Sequence, residues 1–305
     1  KMQKQAQTKP HELLFSELSL QFLTTLNFKT MNTINKYNIL VLLLISFLSA
    51  CTDTVDVDVP NGGARLVVEA SINWEKGTSG QMQTIKLSES TAFFDNNPDV
   101  PVTGASVIVT KNDDGMSFIF EDQNNGSYTA TDFVPEIDQS YTLEILYNGQ
   151  TYTATETLMS VTAINDIEQT IEGGGDEEEI QVKVFFDDPA NLENYYLGEF
   201  NSSVNPLLTL SALSDEFTDG NENFIEFDNE ELVDGATVGI SIYGVSEAYY
   251  NYIDILIDQS GESDGLFQTT PVQLKGNCIN PDNPDEEVFG YFRLGEVVRT
   301  TYTIE

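Results

Sequence analysis

Leu66-Val67-Val68-Glu69-Ala70-Ser71-Ile72 puts apolar side chains at 66, 68, 70 and 72, with Glu69 and Ser71 between them. A period of two marks a strand with one buried face and one wet face. The rhythm returns in Gln83-Thr84-Ile85-Lys86-Leu87-Ser88 and in Ala105-Ser106-Val107-Ile108-Val109-Thr110. Met116 to Glu121, Gly126 to Ala130, Ser140 to Leu146 and Gln150 to Glu156 continue it, separated by clusters of Gly, Pro, Asn and Asp. Asn148-Gly149 falls between two of these runs, and that dipeptide suits the positive φ angles of a type I′ hairpin. Short strands at this spacing imply a β-sandwich over residues 64–160.

Downstream the pattern loosens. Ser160 to Asp166 reads as a break, and Gly173-Gly174-Gly175-Asp176-Glu177-Glu178-Glu179 as a flexible acidic hairpin tip or linker. Ile180 to Phe186, Tyr195 to Phe200, Thr237 to Tyr243, Val288 to Leu294 and Thr300 to Ile304 are expected strands, with Asp187-Asp188-Pro189 as a turn. One helix is predicted over 246–259. Tyr249, Tyr252, Ile253, Leu256 and Ile257 share one face, Ser246 is placed to cap the first amides, and Gly261 lies just past the end. The cluster Tyr249-Tyr250-Asn251-Tyr252 suits a ligand-stacking surface, but packing against a sheet is the simpler reading. The expected fold is therefore mainly β: an immunoglobulin-like or prealbumin-like β-sandwich, then a second β-rich domain over 161–305 with one amphipathic helix. Because the chain ends in an expected strand, removing Thr300 to Glu305 should destabilise it.

Upstream of the strands, Ile39 to Leu48 is mostly apolar and follows a short polar run that carries Lys36. Leu48, Ser49 and Ala50 then precede Cys51. A basic-tinged start, a short apolar core and small residues at the cut make a secretory signal. A cysteine directly after the cut marks its bacterial lipoprotein form. The apolar run is shorter than the roughly 20 residues that span a bilayer. Residues 1–50 are accordingly expected to be an upstream extension plus a signal peptide, with the true start at Met31. Cys51 is the expected acylation site, carrying palmitate or a similar chain, and 51–63 a polar tether that includes Asp53, Asp56 and Asp58.

The chain carries 13 basic and 50 acidic residues, a formal net charge of −37. Cleavage before Cys51 removes five of the former and two of the latter, leaving 8 against 48, or about −40. Such a charge repels phosphate backbones and argues against nucleic-acid binding. It also repels anionic head groups, so the acyl chain becomes the membrane attachment. Solubility is the simpler reading of the acidity, and binding of a divalent cation or steering of a cationic ligand are the alternatives. Cys51 and Cys278 are the only cysteines, so lipidation of the first leaves no intrachain disulfide. The single histidine, His11, lies before the signal. A mature chain without imidazole lacks Ser-His-Asp and Cys-His catalysis and His-ligated zinc. No nucleophile elbow, phosphate loop or dinucleotide fingerprint appears either.

Oxygen ligands offer one weak metal candidate. Asp215, Asp219, Asn221, Asn223 and Glu226 follow much of an EF-hand loop, in which oxygens recur at alternate positions and a glutamate closes the shell. Phe217 stands where a further oxygen is needed. Asp282-Asn283-Pro284-Asp285-Glu286-Glu287 is a second oxygen-rich loop. No cofactor is expected beyond calcium at such a site.

Taken together, Arg65 to Ala70, Pro101-Val102-Thr103-Gly104-Ala105-Ser106-Val107, Asp215-Glu216-Phe217 with Asp219-Gly220, Tyr249-Tyr250-Asn251-Tyr252, Gly276-Asn277 and Gly290-Tyr291-Phe292 resemble a Bacteroidota lipoprotein family known as domain of unknown function 4249. The likeness spans the chain from Cys51 to its end. It implies an outer-membrane lipoprotein, and the acidic residues behind Cys51 look like the export signal of surface-exposed members. Members often accompany TonB-dependent β-barrel receptors, which implies a non-enzymatic accessory role in nutrient uptake. A structural or adhesive surface module and a carboxylate-based hydrolase are the alternatives. The motifs are structural, so the resemblance transfers no catalytic residue.

Overall fold

The alternation of Leu66 to Ile72 becomes β1 (Leu66–Glu75), whose Leu66, Val68, Ala70 and Ile72 are buried while Glu69 is exposed. The computed structural model describes residues 63–91, 100–173, 178–260 and 272–305. Leu48, Ser49, Ala50, Cys51, Asp53, Asp56, Asp58 and Gly261 lie outside the described residues. After β1 come β2 (Gln83–Glu89), β3 (Val100–Pro101), β4 (Ser106–Lys111), β5 (Ser117–Asp122), β6 (Ser127–Ala130), β7 (Ser140–Tyr147) and β8 (Gln150–Met159). Asn148 and Gly149 turn between the last two with φ of 50° and 76°, as a type I′ hairpin needs. Then follow β9 (Ile164–Gly173), β10 (Glu178–Asp187), β11 (Tyr195–Ser202), β12 (Leu208–Ser214), β13 (Glu222–Asp228), β14 (Thr237–Val245), α1 (Glu247–Ser260) and β15 (Phe289–Thr303).

The strands of the first half run β1-β2-β6-β5-β4-β7-β8, each antiparallel to the next. β15 closes this path into a ring by pairing parallel with β1 from Val67↔Phe289 to Glu75↔Val297, and with β8 at Leu294↔Leu158 and Gly295↔Met159. Where β5 meets β6 only Glu121↔Thr129 and Asp122↔Tyr128 pair. The ring is thus a two-layer sandwich, tightly joined along its sheets and lightly at its corners. Phe118, Phe120, Phe133, Tyr141, Leu143 and Phe292 fill it. Burial of each such side chain contributes about 1.5–3 kcal/mol.

β15 does not stop at the ring. Its second part pairs with β14 from Tyr243↔Val297 to Thr237↔Thr303, and β14-β11-β12 extend the sheet. A separate sheet, β13-β10-β9, packs on one face of this extension. Val182, Val184 and Phe186 meet Phe200, Ile240 and Ile242 there, and Phe200 stacks on Phe227 at 5.1 Å. Pro60–Glu305 forms one compact unit, and the sheets run through the expected boundary at 160.

α1 covers the opposite face. Tyr249 and Ile253 are buried against Leu197, Tyr243, Val245 and Val297. The Ser246 hydroxyl accepts the Tyr249 amide at 3.1 Å, so the predicted cap is formed. Leu256 departs from the predicted face and is 38% exposed.

Three expectations need correction. β9 begins inside the expected break, at Ile164, while the pairing of Gly173 with Glu178 agrees with the expected hairpin. Asn223 and Glu226 belong to a strand, β13, and not to a loop. The two expected closing strands are one strand of 15 residues, β15. It continues because a partner is present on both halves of its length, β1 for the first and β14 for the second.

The segment before β15 crosses it closely. Asn277 Nδ2 donates to the Phe292 carbonyl at 2.7 Å, and the Phe292 amide donates to Asn277 Oδ1 at 2.8 Å. Ile279 then exchanges two backbone hydrogen bonds with Thr153 of β8. Gly290 has φ +90°, and a Cβ there would run into the Val68 carbonyl oxygen. Cys278 is buried in this strap, and burial pushes its thiol up to about 12, which leaves it unreactive.

Candidate functional site

Three carboxylates from two segments, the turns after β10 and after β12, converge at one end of the second half. Asp188 continues the inward alternation Val182, Val184, Phe186 one residue beyond β10, and is 6% exposed. The Tyr196 hydroxyl donates to its Oδ1 at 2.7 Å and the Gly220 amide to its Oδ2 at 3.0 Å. Asp215, directly after β12, is 2% exposed and accepts the Asn194 amide at 2.8 Å. Asp219, exposed, accepts the Asn191 amide at 2.7 Å. One oxygen from each of the three lies within 4.8 Å of the others. Gly220 permits this approach: its φ is +73°, and a Cβ would sit 2.7 Å from that of Ala190.

The electrostatics follow from that crowding. Burial raises the Asp215 pKa, the Asn194 amide opposes the rise, and the Asp188 and Asp219 charges add to it. Burial, with the Asp188 carboxylate accepting its proton, pushes the Tyr196 hydroxyl up as well. A positive charge placed among the carboxylates would offset both the burial of Asp215 and the repulsion that adds to its rise.

A cleft of about 680 Å³ opens beside this cluster. Asp215 and Asp219 form part of its wall, joined by Glu193, Glu216 and Glu247, and among the described residues no lysine or arginine lines it. Tyr195 and Tyr250 face it with their rings 5.1 Å apart. β11 supplies one tyrosine and α1 the other. The arrangement can hold a cation through carboxylate oxygens or place an organic cation against ring faces.

Of the five ligands suggested by spacing, the structure brings Asp215 and Asp219 together and places the others elsewhere. Asn221 Nδ2 donates to the Thr218 and Asp219 carbonyls, each at 3.1 Å. Asn223 is buried opposite Phe186 in the sheet register. Glu226 points outward and pairs with Lys183 at 4.0 Å. Asp188 was missed because Asp187-Asp188-Pro189 reads as a turn. The signal that could have found it is an acid falling in phase with the buried face of β10.

The other oxygen-rich loop is committed elsewhere. Glu286 accepts the Tyr152 hydroxyl and the Asn280 side-chain amide, while Glu287 pairs with Arg65 and accepts Gln273. From the tyrosine cluster, Tyr250 and Asn251 reach the cleft, whereas Tyr249 and Tyr252 pack with Tyr291.

A family model described as domain of unknown function (DUF4249) matches residues 52–301. No curated protein matches the chain. Among solved structures, a two fibronectin type-III domain segment of chicken tenascin is similar with TM-score 0.23 and 10% identity, covering 79% of this chain and 99% of that one. The FN1-FN3 domains of chicken CNTN1 are similar with TM-score 0.26 and 12% identity, covering 61% and 62%. The chicken interferon gamma receptor alpha chain gives TM-score 0.19 and 13% identity, covering 60% and 89%. Scores this low carry no argument about fold or function.

Proposed function

The chain belongs to the DUF4249 family, and from that premise we propose that it is a non-enzymatic lipoprotein of the bacterial cell envelope. In this reading Cys51 carries the acyl anchor, and Asp53, Asp56 and Asp58 direct the protein to the outer face of the outer membrane. There it assists a TonB-dependent β-barrel receptor by capturing a cationic ligand. The observation that supports capture is the acidic cleft with the buried Asp188 behind its wall: Asp188, Asp215 and Asp219 are already oriented by N–H and O–H donors, and among the described residues no basic side chain lines the opening. Oriented carboxylates lose little entropy on meeting a cation, and calcium suits such hard oxygens.

Two measurements test this. Mild detergent extraction of the native protein should bring down a large β-barrel and show acylation at Cys51; isolation without a barrel and with a free thiol would overturn the accessory role. Calorimetric titration with calcium should give saturable binding that the D188N/D215N double variant loses, and binding retained by that variant would remove the cleft from the account.

One observation favours a second reading. Burial raises the pKa of Asp215, which lies within reach of two further carboxylates, and carboxylates in unlike surroundings are how hydrolases divide acid and base roles. That reading requires turnover of a glycoside or ester which D215N abolishes.

A further inference from the structure

Among the described residues, three strands end the open sheets with no neighbour on one side: β12 in the long sheet, β9 and β13 in the small one. An unpaired strand offers a row of N–H and C=O groups to any other chain, so edges are ordinarily guarded by charge, proline or a bulge. β13 carries exposed Glu222, Glu226 and Asp228, and β9 carries exposed Asp166 and Glu168. β12 differs. Its sequence, Leu-Thr-Leu-Ser-Ala-Leu-Ser, holds neither charge nor proline, none of its residues is buried, and Leu208 at its start and Leu207 just before it are 50% and 74% exposed. In a chain of net charge −37, an edge without a single carboxylate is the place least defended against pairing. Its far end opens on the cleft, since Ser214 lines it and Asp215, Glu216 and Asp219 follow.

We propose that the β12 edge is a docking site for an extended, basic segment of a partner protein, which adds as a strand beside β12 and sets a lysine or arginine into the cleft. Main-chain pairing supplies affinity, the alternate side chains supply register, and the cation at the Ser214 end fixes direction. The proposal rests on the cation-binding reading of the cleft and names its partner class. A second copy of the chain fits poorly, because its own β12 brings no cation and is followed by the same Asp215 and Glu216.

The test uses the full chain and three synthetic probes. Each has the same short alternating Val/Thr core: one ends in two lysines, one in two glutamates, and one is the lysine peptide with alternate backbone amides methylated. Fluorescence anisotropy should show saturable binding of the lysine peptide, at least tenfold weaker binding of the glutamate peptide, and loss of binding on methylation. Amide exchange should slow tenfold or more across 208–214, and E216K should weaken the lysine peptide at least tenfold with circular dichroism unchanged. Equal binding of the first two peptides, undiminished binding of the methylated one, or protection elsewhere overturns strand addition. Self-association of the chain alone with protection at 208–214 also overturns it and assigns the edge to a second copy. Calcium binding without any peptide binding sinks this proposal and leaves the cleft's cation role standing, while absence of both sinks the two together.

Discussion

The strands around Phe120, Tyr141 and Phe292 form a ring in which every member is hydrogen-bonded on both sides, whereas those around Phe200 and Ile240, among the described residues, leave β9, β12 and β13 unpaired on one side. The same β-rich chemistry builds both, yet only the ring has removed its edges. In the other half, the chain after β10 and β12 is free to turn back, and those turns carry Asp188 and Asp215 to one point. Closure gives a scaffold, and incomplete closure gives a place where strands end in a cleft. β15 belongs to both, so the two halves share a structural member despite their different openness.

The strongest way to break this comparison is F292A. Phe292 is fully buried on the shared strand, and such a deletion costs about 3–5 kcal/mol. If β15 couples the halves, urea melts followed at both cores lose that stability together, in one transition. Two separated transitions would show that the ring and the open half fold independently.

Glycine substitutions sharpen the contrast on a smaller scale. G235A meets nothing within 4 Å and bears only the left-handed backbone, about 1–2 kcal/mol. G290A bears the same backbone and also meets the Val68 carbonyl inside the β1–β15 pair. Its loss in a urea melt should exceed that of G235A clearly, and equal losses would mean that the strap can yield. S246A should cost about 1 kcal/mol through the lost helix cap. It also removes a hydroxyl from the Glu156 carboxylate, so α1 should show faster amide exchange while the ring keeps its protection.

The smallest effect distinguishes the cleft by pH. Burial raises the folded Asp215 pKa, so as pH rises the unfolded carboxyl ionises first, near pH 4, while the folded one still holds its proton. The stability from that retained proton is present at low pH and is lost as pH rises through the folded value. D215N should therefore gain thermal stability relative to the parent at pH 7.5 and little at pH 3, and saturating calcium should cancel the gain. A parent that gains on D215N over the same range would show that neither burial nor the neighbouring carboxylates penalise the charged Asp215.

Much of the ring is visible in one dimension because its strands are short, separated by turn residues and buried on one face, as Val107, Val109, Leu143 and Ile145 illustrate. The pairing of β1 with β15 is not visible, since Val68 and Gly290 lie at opposite ends of the folded sequence. β15 looks like two strands because Glu296 interrupts its apolar alternation. That carboxylate is buried yet met by Lys76 Nζ at 2.7 Å and the Val161 amide at 3.1 Å, partners that no local pattern announces. β12 escapes notice because Ser and Ala carry little strand signal, and β13 because Asn223 and Glu226 resemble metal ligands in a chain rich in oxygen. Cleft residues Asp215 and Asp219 were found by spacing, but the geometry that joins them to Asp188 comes from sheet register.

The eighth wall of the ring is the last strand made. Until Phe289 to Thr303 have been synthesised, the strands from Leu66 to Met159 have neither Phe292 nor Leu294 for their interior, and β1 and β8 lack the strand that joins them. Closure of the ring therefore waits until Phe289 to Thr303 have been made, and with it waits the core that Phe292 and Leu294 complete.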